Sequence, residues 1–167
     1  MKNLQLEILE RDINHDLANE DIWLFPTDAE NKVKGFMGTG GEQKIIVLGE
    51  RPSSVSHGKD AGRAFLYSVL CEYNLQDAHI TDLIKSRAKG NEPYPKSISD
   101  HWRFFQRELA IIEPVKILAL SKKVYDYVYF PVMVERQIEL IQIDHYAYAL
   151  RYGKQDKFRE QIRSAIG

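Results

Sequence analysis

Three polar side chains follow directly on short apolar runs, where side chains are free to do chemistry. Glu50 follows Ile45-Ile46-Val47-Leu48-Gly49, Asp82 follows Ala78-His79-Ile80-Thr81, and His145 follows the run from Ile138 to Ile143 and Asp144. A carboxylate can orient or deprotonate a water and offset a developing positive charge. A second carboxylate can accept hydrogen bonds, and a neutral imidazole can donate one to an oxygen that gathers negative charge. Removing one such aimed donor costs ~3 kcal/mol of barrier. Taken singly, each has a plainer reading: Glu50 as a loop carboxylate that caps backbone amides, His145 as one of five histidines satisfied at a strand end.

The surrounding pattern has to bring these residues together. From Lys44 onward, short apolar runs alternate with helical spacing, as in βαβ units around a mostly parallel sheet. The predicted strands are 45–48, 78–81, 115–120 and 138–143. Between them, Phe65, Leu66, Val69, Leu70 and Tyr73 define one buried helix face, and Ile98, Trp102, Phe105, Leu109 and Ile112 another. Ser97 or Ser99 can cap the second helix and Pro114 ends it. A short helix is expected after Ser121, and Phe158, Ile162 and Ile166 mark a final one. Leu6, Leu9, Ile13 and Leu17 predict an amphipathic N-terminal helix. The fold expected is α/β: a three-layer αβα domain with a central, mostly parallel four-stranded sheet, forming one unit over 1–167 in which 1–43 is the N-terminal helix and a connecting segment. Gly38-Thr39-Gly40-Gly41 precedes a strand instead of opening a helix, so it reads as a flexible connection and not as a phosphate loop. In an open parallel sheet, ligands gather at the carboxyl ends of the strands, and the loops starting at Gly49-Glu50, Asp82 and Asp144-His145 all lie there.

Composition limits the chemistry. Cys71 is the only cysteine, so neither an internal disulfide nor an iron-sulfur cluster can be built, and it falls in a buried helical pattern with no Gly-x-Ser-x-Gly elbow anywhere, which argues against a nucleophilic hydrolase. With 44% hydrophobic and 28% charged residues, and no apolar run of membrane-spanning length, the expectation is a cytoplasmic monomer with no membrane partner. The net charge of −1 is unevenly spread: residues 1–30 hold eight acids against Lys2 and Arg11, which leaves the remainder at +5. Lys85, Arg87 and Lys89, then Arg151, Lys154, Lys157, Arg159 and Arg163, could line one face; solvated surface is the plainer reading of those runs.

Read in order, the loops resemble the signature of the uracil-DNA glycosylase superfamily. Leu48-Gly49-Glu50-Arg51-Pro52 followed by Gly62-Arg63-Ala64-Phe65 is similar to the Gly-Glu-x-Pro-Gly motif and later Gly-Arg-Pro-Phe segment of its thermostable branch. Ile80-Thr81-Asp82-Leu83-Ile84-Lys85-Ser86-Arg87, then Gly90-Asn91, resembles that branch's Ile-Thr-Asn-Val-Val-Lys-Cys-Arg run. His145 with Leu150-Arg151 stands where the family has His-Pro-Ser.

The resemblance implies a metal-free, cofactor-free DNA repair enzyme that flips a deaminated or damaged base out of DNA and hydrolyses its glycosidic bond. Glu50 and His145 would be catalytic. Gly49, Pro52, Phe65 and Asp82 would form the base site, where Phe65 either stacks on the base or packs in the core. Ser53, Ser54, Lys85, Arg87, Tyr146, Leu150 and Arg151 would contact nucleic acid, with Leu150 either entering the DNA or packing. The departures from the branch are Asp82 for its asparagine, Ser53 for the motif's second glycine, Tyr146-Ala147 for Pro-Ser, and the missing cluster cysteines. An ionised aspartate only accepts, so either Asp82 is protonated or the base presents adjacent donors. Two other functions remain open: an inactive member that binds a nucleotide or nucleic acid without cleaving it, and a hydrolase of free nucleosides or nucleotides.

Overall fold

The structure, a computed structural model, describes residues 2–22, 42–53, 60–87 and 98–167. Four strands form one sheet: β1 (Ile45–Gly49), β2 (His79–Asp82), β3 (Lys116–Leu120) and β4 (Glu139–Ile143). Their order is β2-β1-β3-β4 and every pair is parallel. The expected parallel four-stranded sheet is thus present, with each strand displaced from its predicted span by at most a residue at either end.

Strand alternation divides the core in two. Ile46, Leu48, Ile117, Ala119 and Leu140 face one layer, built from α1 (Lys2–Asp16), α3 (Ile98–Ile112) and α4 (Lys122–Val128). Val47, Ile80, Leu118, Leu120 and Ile143 face the other, built from α2 (Ala61–Glu72), α5 (Tyr146–Arg151) and α6 (Gln155–Ile166). This is the three-layer αβα arrangement.

Local chemistry sets the helix ends. Asp60 caps α2 by accepting from the amides of Gly62 (2.9 Å) and Arg63 (3.2 Å). Ser99 lies inside α3, so it is not that helix's cap, and Ser97 falls outside the described residues, as does the glycine run 38–41. After α3, Glu113 adopts a left-handed conformation (φ 50°) and Pro114 prevents continuation, so the chain turns into β3. Ser121 caps α4, which continues as a π-helical turn, Tyr129–Val134. Pro131, which has no amide hydrogen to give the helix, lies within that turn.

Candidate functional site

The carboxyl ends of β1 and β2 are locked side by side. Gly49 and Asp82 are register partners, and pairing continues past the strands as Leu83 N donates to Gly49 O (3.0 Å) and Ile84 N to Glu50 O (2.9 Å). Asp82 lies over Gly49, where a Cβ would collide with its Oδ1; only glycine admits the carboxylate there. Its Oδ2 accepts from Arg63 Nη2 at 3.0 Å, with both side chains about 6–7% exposed. Arg63 Nη1 also reaches the Tyr67 hydroxyl (3.5 Å), one helical turn further along α2. Burial by itself would lower the Arg63 pKa, but the Asp82 charge and the neighbouring tyrosines outweigh it and hold the value above the ordinary arginine range.

The loop after β2 is anchored from the opposite layer. Lys85 is only 1% exposed, and its ammonium bonds Glu108 Oε1 and Oε2 (2.8 and 2.9 Å), Thr81 Oγ1 (2.8 Å) and the Asp82 carbonyl (2.5 Å). Its amide donates to the buried His101 Nδ1 (3.0 Å). This corrects the expectation that Lys85 contacts nucleic acid. A buried ammonium requires a counter-charge, and Glu108 supplies it from α3, leaving Lys85 unavailable to phosphate.

His145 follows β4 and caps α5, its Nδ1 accepting from Ala147 N at 3.2 Å. In a neutral ring that contact leaves the proton on Nε2. Burial lowers the His145 pKa, against the opposing pull of Asp82 and, more weakly, of Asp60 and Glu50, while Arg63 adds to the lowering. The imidazole therefore shares one electrostatic neighbourhood with the loops after β1 and β2. Glu50 is partly exposed and takes Lys123 Nζ at 2.5 Å. Lys123 is carried by the first turn of α4, just past Ser121 at the end of β3.

Two more sequence-based roles need correction. Tyr146 is 6% exposed, its ring packed over Gly62 and stacked on His145 (centroids 4.3 Å apart), so it is a wall of the site and not a phosphate contact; burial pushes its hydroxyl pKa up. Phe65, two positions along α2 from Arg63 and so on the far side of the helix, packs against Phe158 (5.5 Å) with the Arg159 guanidinium over its ring (5.4 Å). Its open alternative resolves to packing between α2 and α6. Pro52 is buried beside the first loop, while Ser53 and Arg87 are half-buried. Leu150 is half-buried and Arg151 exposed at the end of α5; Ser54 lies outside the described residues. Among the other basic positions, Lys157 pairs with Asp144, Arg159 with Glu72 and Asp156, and Arg163 with Glu160. The sequence reading gave no role to Arg63, Tyr67, Asp60 or Lys123. The available signal was a cation inside an apolar helical stripe, Arg63 beside Leu66, Tyr67 and Leu70, which marks a buried ion pair.

The carboxyl ends of β1, β2 and β4 thus carry Glu50, the Asp82–Arg63 pair and His145, on the side of the sheet where open parallel sheets gather ligands. A model of the Uracil DNA glycosylase superfamily matches residues 37–166, and the chain belongs to that superfamily; it is a glycosylase-like protein. Its fold is similar to that in the crystal structure of wild-type Pedobacter heparinus SMUG2, with a TM-score of 0.59 over 97% of this chain and 96% of that one at 10% identity, a likeness of fold. A search of curated proteins found no match. Among the described residues, no helix is long and apolar enough to cross a membrane.

Proposed function

We propose that the chain is a monomeric DNA glycosylase that receives an extruded deaminated or damaged base, uracil or a related one, and releases it by hydrolysis. The observation that carries this reading is the state of His145. Its Nδ1 is occupied by the Ala147 amide and its pKa is lowered, so a neutral ring with its proton on Nε2 stands in the same charged neighbourhood as Asp82 and Glu50. Such a donor stabilises the anion that forms on a departing base, and Glu50 orients the attacking water against an oxocarbenium-like sugar.

The aspartate–arginine pair supports a particular kind of base edge. Asparagine both accepts and donates; here the two functions fall to neighbours, Asp82 accepting and Arg63 holding the guanidinium donors 3.0 Å away. That division suits a ring N–H beside a carbonyl, as in uracil, hypoxanthine and xanthine. Cytosine and adenine turn a ring-nitrogen acceptor toward the carboxylate and are disfavoured. Base release from single- and double-stranded oligonucleotides carrying each of these bases, and from the free nucleosides, tests the proposal. Release should occur from one or more of the three lactam bases in DNA and drop by at least about 10²-fold in His145→Ala; equal behaviour of wild type and variant on every substrate overturns it.

One observation favours a second reading. Lys123 donates to the Glu50 carboxylate at 2.5 Å, so that oxygen is already engaged by an ammonium instead of a water. The protein would then bind a base or nucleotide without cleaving it, seen as ligand-dependent thermal stabilisation lost in Asp82→Ala with no base released.

A further inference from the structure

Beyond the base site, α5 presents an outward face that the proposed chemistry does not use. Tyr146 and Ala149 point inward; Tyr148 and, one turn on, Tyr152 are 42% and 58% exposed, their rings 4.6 Å apart and tilted by 47°. The end of α5 is built to hold this pair. Lys154 N donates to Ala149 O (2.7 Å) and Gly153 N to Leu150 O (3.4 Å), with Gly153 left-handed at φ 64°, a Schellman closure that turns the chain back along the helix. Lys154 Nζ thereby donates to the Tyr148 hydroxyl at 2.7 Å. It lies 4.7 Å from that ring's centre, beside the hydroxyl rather than over the face. Arg151 is exposed on the same helix, and of the acids that flank this stretch Asp144 is engaged by Lys157 and Asp156 by Arg159.

Helix stability does not account for the arrangement, because a surface aromatic pair one turn apart contributes only about 0.2–0.5 kcal/mol. Two exposed ring faces flanked by cations match what unpaired nucleic-acid bases need: a stacking surface and charge for the phosphates. The platform starts within a turn of His145, whose carbonyl accepts from the Tyr148 amide (3.0 Å). We propose that Tyr148 and Tyr152, with Arg151 and Lys154, form a stacking platform for the unpaired bases of single-stranded DNA next to the nucleotide held at His145. In a duplex the base faces are already covered by their neighbours, so the platform selects single strands. The inference rests on the reading that this chain acts on DNA.

Fluorescence anisotropy with a mixed-sequence labelled oligonucleotide free of modified bases measures it without turnover, single-stranded and as the matching duplex. The single strand should bind more tightly than the duplex. Tyr148→Ala and Tyr152→Ala should each weaken single-strand binding about 5- to 100-fold, while Tyr148→Phe and Tyr152→Phe stay close to wild type, because the ring face and not the hydroxyl does the stacking. Arg151→Gln and Lys154→Gln should each reduce the log–log salt slope by about 0.7. Alanine variants that bind single strands like wild type, phenylalanine variants as weak as the alanine ones, or duplex bound as tightly as single strand would each overturn the platform. The four side chains are exposed, and circular dichroism confirms folding of each variant. Base release is scored separately, so loss of the catalytic reading with tyrosine dependence intact, or the reverse, separates the two proposals.

Discussion

Replacing Arg63 by methionine removes the guanidinium from a buried ion pair while keeping most of its volume, and isolates what holds Asp82 in place. At 3.0 Å and an effective dielectric of about 20, the mutual attraction is about 5–6 kcal/mol, of which a large part is offset by desolvating both charges. Because both side chains are nearly inaccessible, solvent screening does not diminish the pair as it does at a surface. Arg63→Met strands the Asp82 carboxylate beside Gly49 with its charge uncompensated, at a cost of roughly 3–5 kcal/mol. In a domain of this length that lowers Tm by roughly 6–20 °C. Asp82→Asn is destabilising in turn, because it leaves the arginine buried without its counter-charge. The double variant Arg63→Met/Asp82→Asn should recover at least about 2 kcal/mol relative to the sum of the single changes. Urea denaturation of the four proteins of this cycle measures the coupling. If Arg63→Met costs under about 1 kcal/mol, or the single effects simply add, the two side chains do not depend on each other and the argument for a built acceptor–donor pair fails.

Burial lowers the His145 pKa, so just below its ordinary value of about 6.5 the unfolded chain retains a proton that the folded chain has already lost. Stability from this group is therefore present above that window and falls as pH drops through it; base release should be flat from about pH 6.5 to 8 with its acidic limb at lower pH, and a limb at or above 6.5 in a single-turnover profile contradicts the lowered value. Glu50→Gln should cut base release by about 10²-fold or more, whereas Lys123→Ala, which breaks a partly exposed pair whose lysine end is open to solvent, should change stability by less than about 1 kcal/mol in urea denaturation. Lys85→Met should destabilise the fold by about 3–5 kcal/mol by leaving Glu108 buried and unmatched, with the salt slope of DNA binding unaltered; a slope reduced as in Arg151→Gln would return Lys85 to the nucleic-acid surface.

Apolar runs of strand length, the i, i+3, i+4 spacing between them and the break at Pro114 are local properties, and they were enough to predict a parallel αβα domain with Glu50, Asp82 and His145 at strand ends. The order and spacing of the loop motifs were equally local, and they pointed to the superfamily to which the chain belongs. Partnership was not legible, because it depends on which distant element arrives opposite each charge. Lys85 reads as a surface cation until α3 brings Glu108 to it from 23 residues away, and Asp82 reads as an acceptor with no partner until α2 supplies Arg63 from 19 residues away. Phe65 and Tyr146 lie within a residue or two of Arg63 and His145, yet helix rotation sends the first into the packing against α6 and folds the second over Gly62. Sequence spacing determined which residues share a face; the packing of one layer on another decided which charge arrives opposite which, Arg63 at Asp82, Glu108 at Lys85 and Lys123 at Glu50.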